Sequence, residues 1–468
     1  MNTRLPAMLV ITALLGGCAT FSEDGGSTAV NNALASRGLQ QPAPWIRSAG
    51  EAERAATETG RLLAQPLTAD TAVRVALLNN RGLQARYAEL GIAEADLVQA
   101  GRLTNPGFGF GRLHRADVVE YERAFIFDLM GLLTMPLRTR VEGERFAATQ
   151  NRITAEILLV AADTRRAWIR AVAAQQTASY AAQVQSAAEA AAELARRMVA
   201  VGNFSKLDQA REQAFYSEAT TQLARARQSA VAEREALTRL LGLWGAATAF
   251  RLPERLPDLP AQLREIADIE GAALAQRLDV QAAARDAEAL ARNLGLTKAT
   301  GWFSVLEGKY MRNSESGDPR QTGWEIEMRI PVFDSGSARV ARAEHLHRQA
   351  VNRAADLAVR ARSEVREAWQ AWRSSHDIAR HYRDEVVPLR ARISEETLLR
   401  YNGMLMSVFE LLTESRQQIG AVTEAINAQR DFWLADTTLQ FAMTTRSPGM
   451  VSAAAPQAAA TTAARPGH

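Results

Sequence analysis

The sequence predicts a mainly helical chain with a membrane β part, built as two tandem copies of helix, strand, strand, long helix, turn, helix. Three observations predict it. First, Ala343, Leu346, Ala350, Ala354, Leu357, Ala361, Val365, Ala368 and Trp372 form one apolar stripe in steps of three or four, 29 residues in eight steps, about 3.6 per turn. That spacing asks for nearly straight packing rather than a left-handed supercoil. Second, two segments alternate with period two, which is the period of a strand. Third, landmarks recur near a fixed offset: Leu83-Gln84-Ala85 against Val280-Gln281-Ala282, Pro136 against Pro331, and Gly202 against Gly403. Chance likeness of alanine-rich helices would explain the first pair but not the prolines and turns.

The chain has 468 residues, a formal charge of +3 and 47% hydrophobic residues. That is ample for a large core, and the charge is too small and too evenly spread to argue for nucleic acid. Abundant alanine favours helix and close helix approach.

Residues 1–17 read as a signal peptide. Arg4 gives a positive end, and Leu5 to Leu15 is an apolar run too short to span a bilayer. Leu15-Gly16-Gly17-Cys18 resembles a bacterial lipoprotein signal, with Cys18, the only cysteine, as the lipidated residue. The competing reading is an ordinary leader that ends near a cysteine. Ala19 follows, rather than the aspartate that would retain a lipoprotein at the inner membrane. No later apolar run reaches the roughly 18–20 residues of a transmembrane helix.

Residues 18–66 read as a lipid-anchored arm, extended with one short helix. The first repeat is expected over 67–242. Its first helix runs from Thr68, a plausible N-cap, to Gly101, and Asn105-Pro106 stops it. Strands follow at about 103–114 and 118–131, closed by Pro136. A long helix then runs to a turn at about 200–205, and a return helix ends near Gly242. Residues 243–265, with Trp244, Gly245, Pro253, Pro257 and Pro260, form a connector. The second repeat, 266–447, has a helix from Ile266 to Leu296. Its strands fall at about 302–311 and 322–333, from Trp302 to Val332, with Pro331 closing them. A long helix from Gly336 reaches a turn at about 401–407. It holds one proline, Pro388. About 65 residues at ~1.5 Å each make a rod of roughly 95–100 Å. Residues 448–468, largely Ala, Thr and Pro, read as a disordered tail.

In the strands, Val119, Tyr121, Phe125, Phe127, Leu129, Trp324, Ile326 and Met328 alternate with Glu120, Glu122, Asp128, Glu325 and Glu327. One face is apolar and the other acidic. Four strands are too few to close a barrel, and open edges in lipid cost several kcal/mol per unpaired group. Strands of this kind in a membrane therefore require oligomerisation, and three copies would give an even-numbered, 12-stranded barrel. The alternative is a small soluble β-domain packed on the helices.

At this point the order of elements resembles the TolC family of outer-membrane efflux proteins, in its lipoprotein branch, over nearly all of the mature chain. The most specific residues are the turn motifs Arg197-Met198-Val199-Ala200-Val201-Gly202-Asn203-Phe204-Ser205-Lys206-Leu207-Asp208 and Arg400-Tyr401-Asn402-Gly403-Met404-Leu405-Met406-Ser407 running on to Glu410. Asn105-Pro106 also looks like the family. Arg81 and Leu278 stand where the family commonly has proline, inside what read as continuous helices. The resemblance implies a homotrimeric duct: a β-barrel in outer-membrane lipid, a periplasmic α-barrel, and an equatorial belt that includes the connector. Its partners would be a periplasmic adaptor and an inner-membrane pump. It implies a tip made of Gly202, Asn203, Phe204 and Ser205 with Gly403, Met404, Leu405, Met406 and Ser407, both glycines supplying the φ > 0 a reversal needs. It also implies an acidic periplasmic aperture near Asp208, Glu410 and Glu414, with links to Lys206, Arg400 or neighbouring chains.

No catalytic constellation, cofactor motif or metal site stands out. His345 and His347, and His376 and His381, have spacings that do not pair on a helix, and read as solvated. Met404 and Met406 could touch Cu(I), but read as flexible apolar contacts for a partner helix. The glycines at 107, 109 and 111 lie in a strand with no following helix, which is not a phosphate loop. The competing class is a lipid-anchored periplasmic coiled-coil structural or adaptor protein without channel activity. An adaptor would carry one hairpin and extra β-domains, where this chain has two hairpins and no such domains.

Overall fold

The computed structural model describes residues 20–115, 118–300, 306–315, 318–328 and 335–445. Cys18, Trp302, Pro331 and the tail from 448 onward lie outside the described residues. The helices before the sheet are α1 (Ser27–Ala35), α2 (Ala49–Leu63), α3 (Ala69–Asn79) and α4 (Arg81–Ala100). Strands β1 (Gly107–Arg115) and β2 (Val118–Asp128) lead into α5 (Leu129–Ala200) and α6 (Lys206–Leu241). After a connector come α7 (Ile269–Gln276), α8 (Leu278–Thr300), β3 (Leu306–Glu315) and β4 (Gln321–Met328). The chain closes with α9 (Ser337–His381), a π turn (Tyr382–Val386), α10 (Val387–Asn402) and α11 (Val408–Ala442).

The arm holds two helices rather than the single one expected. The second is fixed by a capping box between Ser48 and Glu51, visible in the sequence as Ser-x-x-Glu. Val30, Leu34 and Ala43 of the arm pack on Leu83, Tyr87, Ile153 and Ile157. The buried Tyr87 hydroxyl donates to the Ala43 carbonyl at 2.6 Å.

Each helix expected before a strand pair is in fact two. In the first half Asn80 leaves the helical region with ψ 109. Its Oδ1 accepts from the Leu83 N–H and its Nδ2 donates to the Leu240 carbonyl, both at 3.1 Å. In the second half Arg277 does the same with ψ 118. Leu278 N–H donates to the Thr444 carbonyl at 3.0 Å. Arg81 and Leu278 therefore begin helices, and tertiary partners, not proline, enforce the breaks. Gly242 seals the first break. It sits at φ 66, where an added Cβ would lie 2.7 Å from the Asn79 carbonyl oxygen, so only glycine fits.

The strands form one antiparallel sheet in the order β1-β2-β3-β4. Strand β2 stops at Asp128, short of 131, because Asp128 caps α5 by accepting from Gly131 N–H at 2.6 Å. Leu129 is thus helical, and Pro136 lies inside α5 instead of closing the strand. Arg138 donates to the Gly131 carbonyl at 2.8 Å and Thr139 to the Met135 carbonyl at 2.9 Å, so side chains occupy carbonyls around the proline. Strand β3 runs past the expected end at 311, to Glu315, while residues 301–305 lie outside the described residues. Its polar end stays in the ladder, with Ser314 opposite Tyr121 and Glu315 opposite Glu120.

The long helix of the second half is interrupted by the π turn, and Pro388 falls in the first turn of α10. The extra residue of a π turn makes room for a proline that a continuous α-helix would clash with. Of the apolar stripe, Ala343, Ala361, Val365, Ala368 and Trp372 are buried, whereas Leu346 is exposed. The connector packs as a strap. Phe250, Leu252 and Leu256 join Trp168, Val172, Leu237 and Leu241 in one core cluster. Each large apolar side chain buried there contributes about 1.5–3 kcal/mol. Trp168 Nε1 donates to the Leu67 carbonyl at 2.7 Å, tying the start of the first repeat to the same level.

Candidate functional site: hairpin turns and sheet faces

The two helix-to-helix turns come together at one end of the molecule. Phe204 from the first and Tyr401, Val408 and Leu411 from the second line one small cavity with Leu194 and Met198. Both turns use one design. In the first, Gly202 N–H donates to the Val199 carbonyl at 3.0 Å and Asn203 N–H to the Met198 carbonyl at 2.9 Å, closing the last helical turn. Ser205 then caps α6, accepting from Asp208 N–H at 3.0 Å and donating to Asp208 Oδ2 at 2.6 Å. In the second, Met404 N–H donates to the Tyr401 carbonyl at 3.0 Å and Leu405 N–H to the Arg400 carbonyl at 2.9 Å. Ser407 caps α11 in a capping box with Glu410.

This geometry corrects one equivalence. The partner of Gly202 (φ 79) is Met404 (φ 59), while Gly403 has an ordinary φ of −79. Asn203 matches Leu405, Ser205 matches Ser407, and Asp208 matches Glu410. The second turn therefore places a methionine in the left-handed region that favours glycine. Met404 is 94% and Leu405 81% exposed, so the extreme end of the hairpin is apolar and bare.

The three acidic residues have local partners rather than Lys206 or Arg400. Asp208 pairs with Arg211 at 3.1 Å, and Glu414 with Arg390 at 3.4 Å. Glu410 accepts from the Ser407 N–H at 3.0 Å and from its hydroxyl at 2.9 Å. The backbone bond from Ser407 is the main cause that holds this carboxyl below its usual range. Glu410 and Glu414 share an open groove of about 640 Å³ with Arg392, Glu396, Arg400 and Met406.

One feature near the turns carries no sequence signal. Glu212 on α6, 2% exposed, accepts from Arg416 on α11 at 3.0 Å. Arg416 also lies over the Phe215 ring at 4.3 Å. This ion pair ties the first hairpin to the second just above the turns. A second buried cluster lies at the other break: fully buried Arg277 donates to Asp279 at 2.7 Å and Glu364 at 2.8 Å. His376 is likewise buried rather than solvated, bonded to the Pro260 carbonyl at 3.1 Å and edge-on to Phe432. Among the described residues, no group of three or more His, Cys, Asp or Glu side chains could hold a metal ion.

The sheet separates its side chains as the alternation predicts. Phe125 pairs with Phe108 on one side and Tyr310 on the other, and Tyr310 pairs with Trp324. One face thus carries an aromatic row across all four strands, followed by Phe127, Ile326 and Met328. The opposite face carries Glu120, Glu122, Asp128, Glu307, Glu315, Glu325 and Glu327. There Lys309 pairs with Glu325 at 3.4 Å. No described helix is long and apolar enough to cross a membrane.

No family model matches the chain, and neither does any curated protein. Solved structures do match. The outer membrane protein VceC from Vibrio cholerae aligns with a TM-score of 0.68 at 15% identity, covering 85% of this chain and 99% of that one. The outer-membrane channel OprN aligns at 0.67 and 17% identity, covering 82% and 91%. CusC, solved in work on conformational changes accompanying folding and transmembrane channel formation, aligns at 0.66 and 17% identity, covering 81% and 92%. The structural neighbours share the TolC-like outer-membrane channel fold. At these identities the likeness establishes the fold.

Proposed function

We propose that this chain is the outer-membrane exit channel of a tripartite efflux or export system. It passively conducts substrates handed over by an inner-membrane pump and a periplasmic adaptor. The observation that carries the reading is the sheet. It has an aromatic, apolar face, an acidic face, and two outer strands, β1 and β4, whose free edges pair with no described strand. An isolated sheet of this kind is unstable in lipid, because its edge N–H and C=O groups lack partners. Side-by-side closure of three copies supplies them and gives 12 strands around a wet, acidic lumen.

The remaining assignments complete that reading. The two halves act as tandem repeats, each giving two strands and one long hairpin. Residues 18–66 form an arm anchored by lipid on Cys18, and 243–265 form part of the equatorial belt. The α5–α6 and α10–α11 turns form the periplasmic tip. Their exposed Met404 and Leu405 offer the adaptor an apolar contact, while Asp208, Glu410 and Glu414 line the aperture. The test is direct: protein extracted in detergent should cross-link as a trimer and conduct ions when reconstituted in a planar bilayer. A monomer without conductance would overturn the reading in favour of a periplasmic structural protein. Cys18→Ser should abolish incorporation of labelled palmitate, and persistent labelling would refute the anchor.

A further inference from the structure

We propose that the outward face of the sheet carries a binding site for the phosphate groups of an anionic membrane lipid, formed by Arg112, Arg123 and Arg312. The proposal rests on the reading of the sheet as part of a membrane barrel, and it adds a specific ligand to it.

Register fixes where these arginines stand. The aromatic row is Phe108, Phe125, Tyr310 and Trp324, with exposures of 62%, 46%, 48% and 77%. Side chains two residues apart share a face, so successive rows lie about 6.6–6.8 Å apart. One row toward the β1–β2 and β3–β4 turns, Phe110 pairs with Arg123 and Arg312 with Thr322. Arg123 falls opposite Arg312, because the pairs Tyr121–Ser314 and Ala124–Met311 bracket it. The next row pairs Arg112 with Tyr121, and the guanidinium lies 5.8 Å from the ring centroid. All three arginines are exposed. They therefore sit just beyond an aromatic girdle, at the edge farthest from the helices. With the hairpin tip in the periplasm, that edge faces the outer leaflet.

Charge on the sheet is segregated. Every acidic residue of the four described strands lies on the other face, at 120, 122, 128, 307, 315, 325 and 327. Among the described residues no carboxylate pairs with Arg112, Arg123 or Arg312. Like charges at directly opposed positions destabilise a sheet, and arginine at a lipid-facing position costs free energy unless it meets a polar headgroup. An anion that bridges Arg123 and Arg312 removes both penalties. Phosphate suits it, because a guanidinium binds two of its oxygens at once. Tyr121 and Tyr310 flank the cluster with rings suited to the interface.

The full-length protein should be reconstituted in nanodiscs of phosphatidylcholine with a bisphosphorylated glycolipid, then released into detergent and its retained lipid counted by native mass spectrometry. The parent should retain the phosphorylated lipid over phosphatidylcholine. Arg123→Gln/Arg312→Gln should lower that preference about tenfold. The single variant Arg112→Gln should lower it less, and serves if the double variant fails to assemble. Arg225→Gln/Arg227→Gln, an equal charge change on α6, should leave it intact. Equal retention by the parent and both sheet variants overturns the site. Elution of the lipid by inorganic phosphate at comparable concentration overturns the lipid as its ligand. Quenching by brominated lipid of the fluorescence lost in Trp324→Phe tests the barrel separately. Quenching without lipid preference sinks the site alone, and absence of quenching sinks the membrane reading.

Discussion

Alanine at Gly202 should loosen the first hairpin turn, whereas alanine at Gly403 should not loosen the second. Gly202 holds φ 79, and an added Cβ meets nothing within 4 Å. The cost of Gly202→Ala is therefore the backbone term alone, about 1–2 kcal/mol. Gly403 has φ −79, and its added Cβ would lie 3.5 Å from the nearest atom, the Arg400 carbonyl oxygen. That is ordinary contact, so Gly403→Ala should be neutral or stabilise by up to about 1 kcal/mol. Met404 occupies the strained position at φ 59 and is 94% exposed. Met404→Gly removes about 1–2 kcal/mol of strain and adds about 0.5–1 kcal/mol of backbone entropy cost. The net stabilisation is between about 0 and 1.5 kcal/mol. Hydrogen exchange of the Asn203 and Leu405 amides in the assembled protein reads each turn, and 1 kcal/mol changes the rate about fivefold. If Gly403→Ala speeds exchange at Leu405 as much as Gly202→Ala speeds it at Asn203, Gly403 is the left-handed position and the turn geometry is wrong.

Arg277→Ala should destabilise the protein by about 3–5 kcal/mol, because Glu364 and Asp279 lose their shared buried partner; a change under about 1 kcal/mol in a denaturant melt would contradict this. Ile326→Arg, on the aromatic face, should cost the assembled protein about 2–4 kcal/mol and Glu325→Arg much less, so equal losses would invert the assigned faces. Asp208→Asn/Glu410→Gln should raise single-channel conductance or lower cation selectivity while assembly persists. Unchanged currents would remove these carboxylates from the aperture. Burial holds the Glu212 carboxyl above its usual range despite Arg416. The folded chain then keeps a proton that the unfolded chain has lost, so this group's contribution to stability falls as pH rises from the ordinary carboxylate range through the raised value. The melting temperature of the parent minus that of Glu212→Gln should fall over that window, and a flat difference would show that Glu212 titrates normally.

Where the sequence was legible, one local rule decided the structure. Alternation along residues 118–128 and 321–328 set the two faces of the sheet, because a strand has no other way to place successive side chains. Ser205 and Ser407 cap their helices through a spacing any reader can see. The misplaced features are those where partners far along the chain outweigh local pattern. Nothing near Arg277 marks a helix break; Glu364, 87 residues from Arg277, and the Thr444 carbonyl, 166 residues from Leu278, impose it. Pro136 reads as a stop, yet Asp128 starts the helix earlier and side chains cover the exposed carbonyls. At the turns the near-constant offset pairs glycine with glycine. Hydrogen bonds to Met198 and Arg400 set the true register one residue away. Glu212 and Arg416 look like any charges on exposed helices, because burial of one face near the tip depends on how two hairpins meet.

A single chain is left incomplete in two separate ways. Among the described residues its sheet ends at β1 and β4 with no further strand paired to either. Its longest second-half helix, α9, leaves Val351 46%, Val359 69% and Ile378 52% exposed. These deficits differ in kind: one is unmet backbone hydrogen bonding and the other is apolar surface in water. Capping the sheet edges with a loop would relieve the first and leave the second. Burying α9 in a face-to-face dimer would relieve the second and leave the edges open. In the proposed ring, copies set side by side around one axis would pair β4 of each with β1 of the next and so relieve the first deficit. Unmet hydrogen bonding at the sheet edges is therefore the observation on which the proposed ring closure rests.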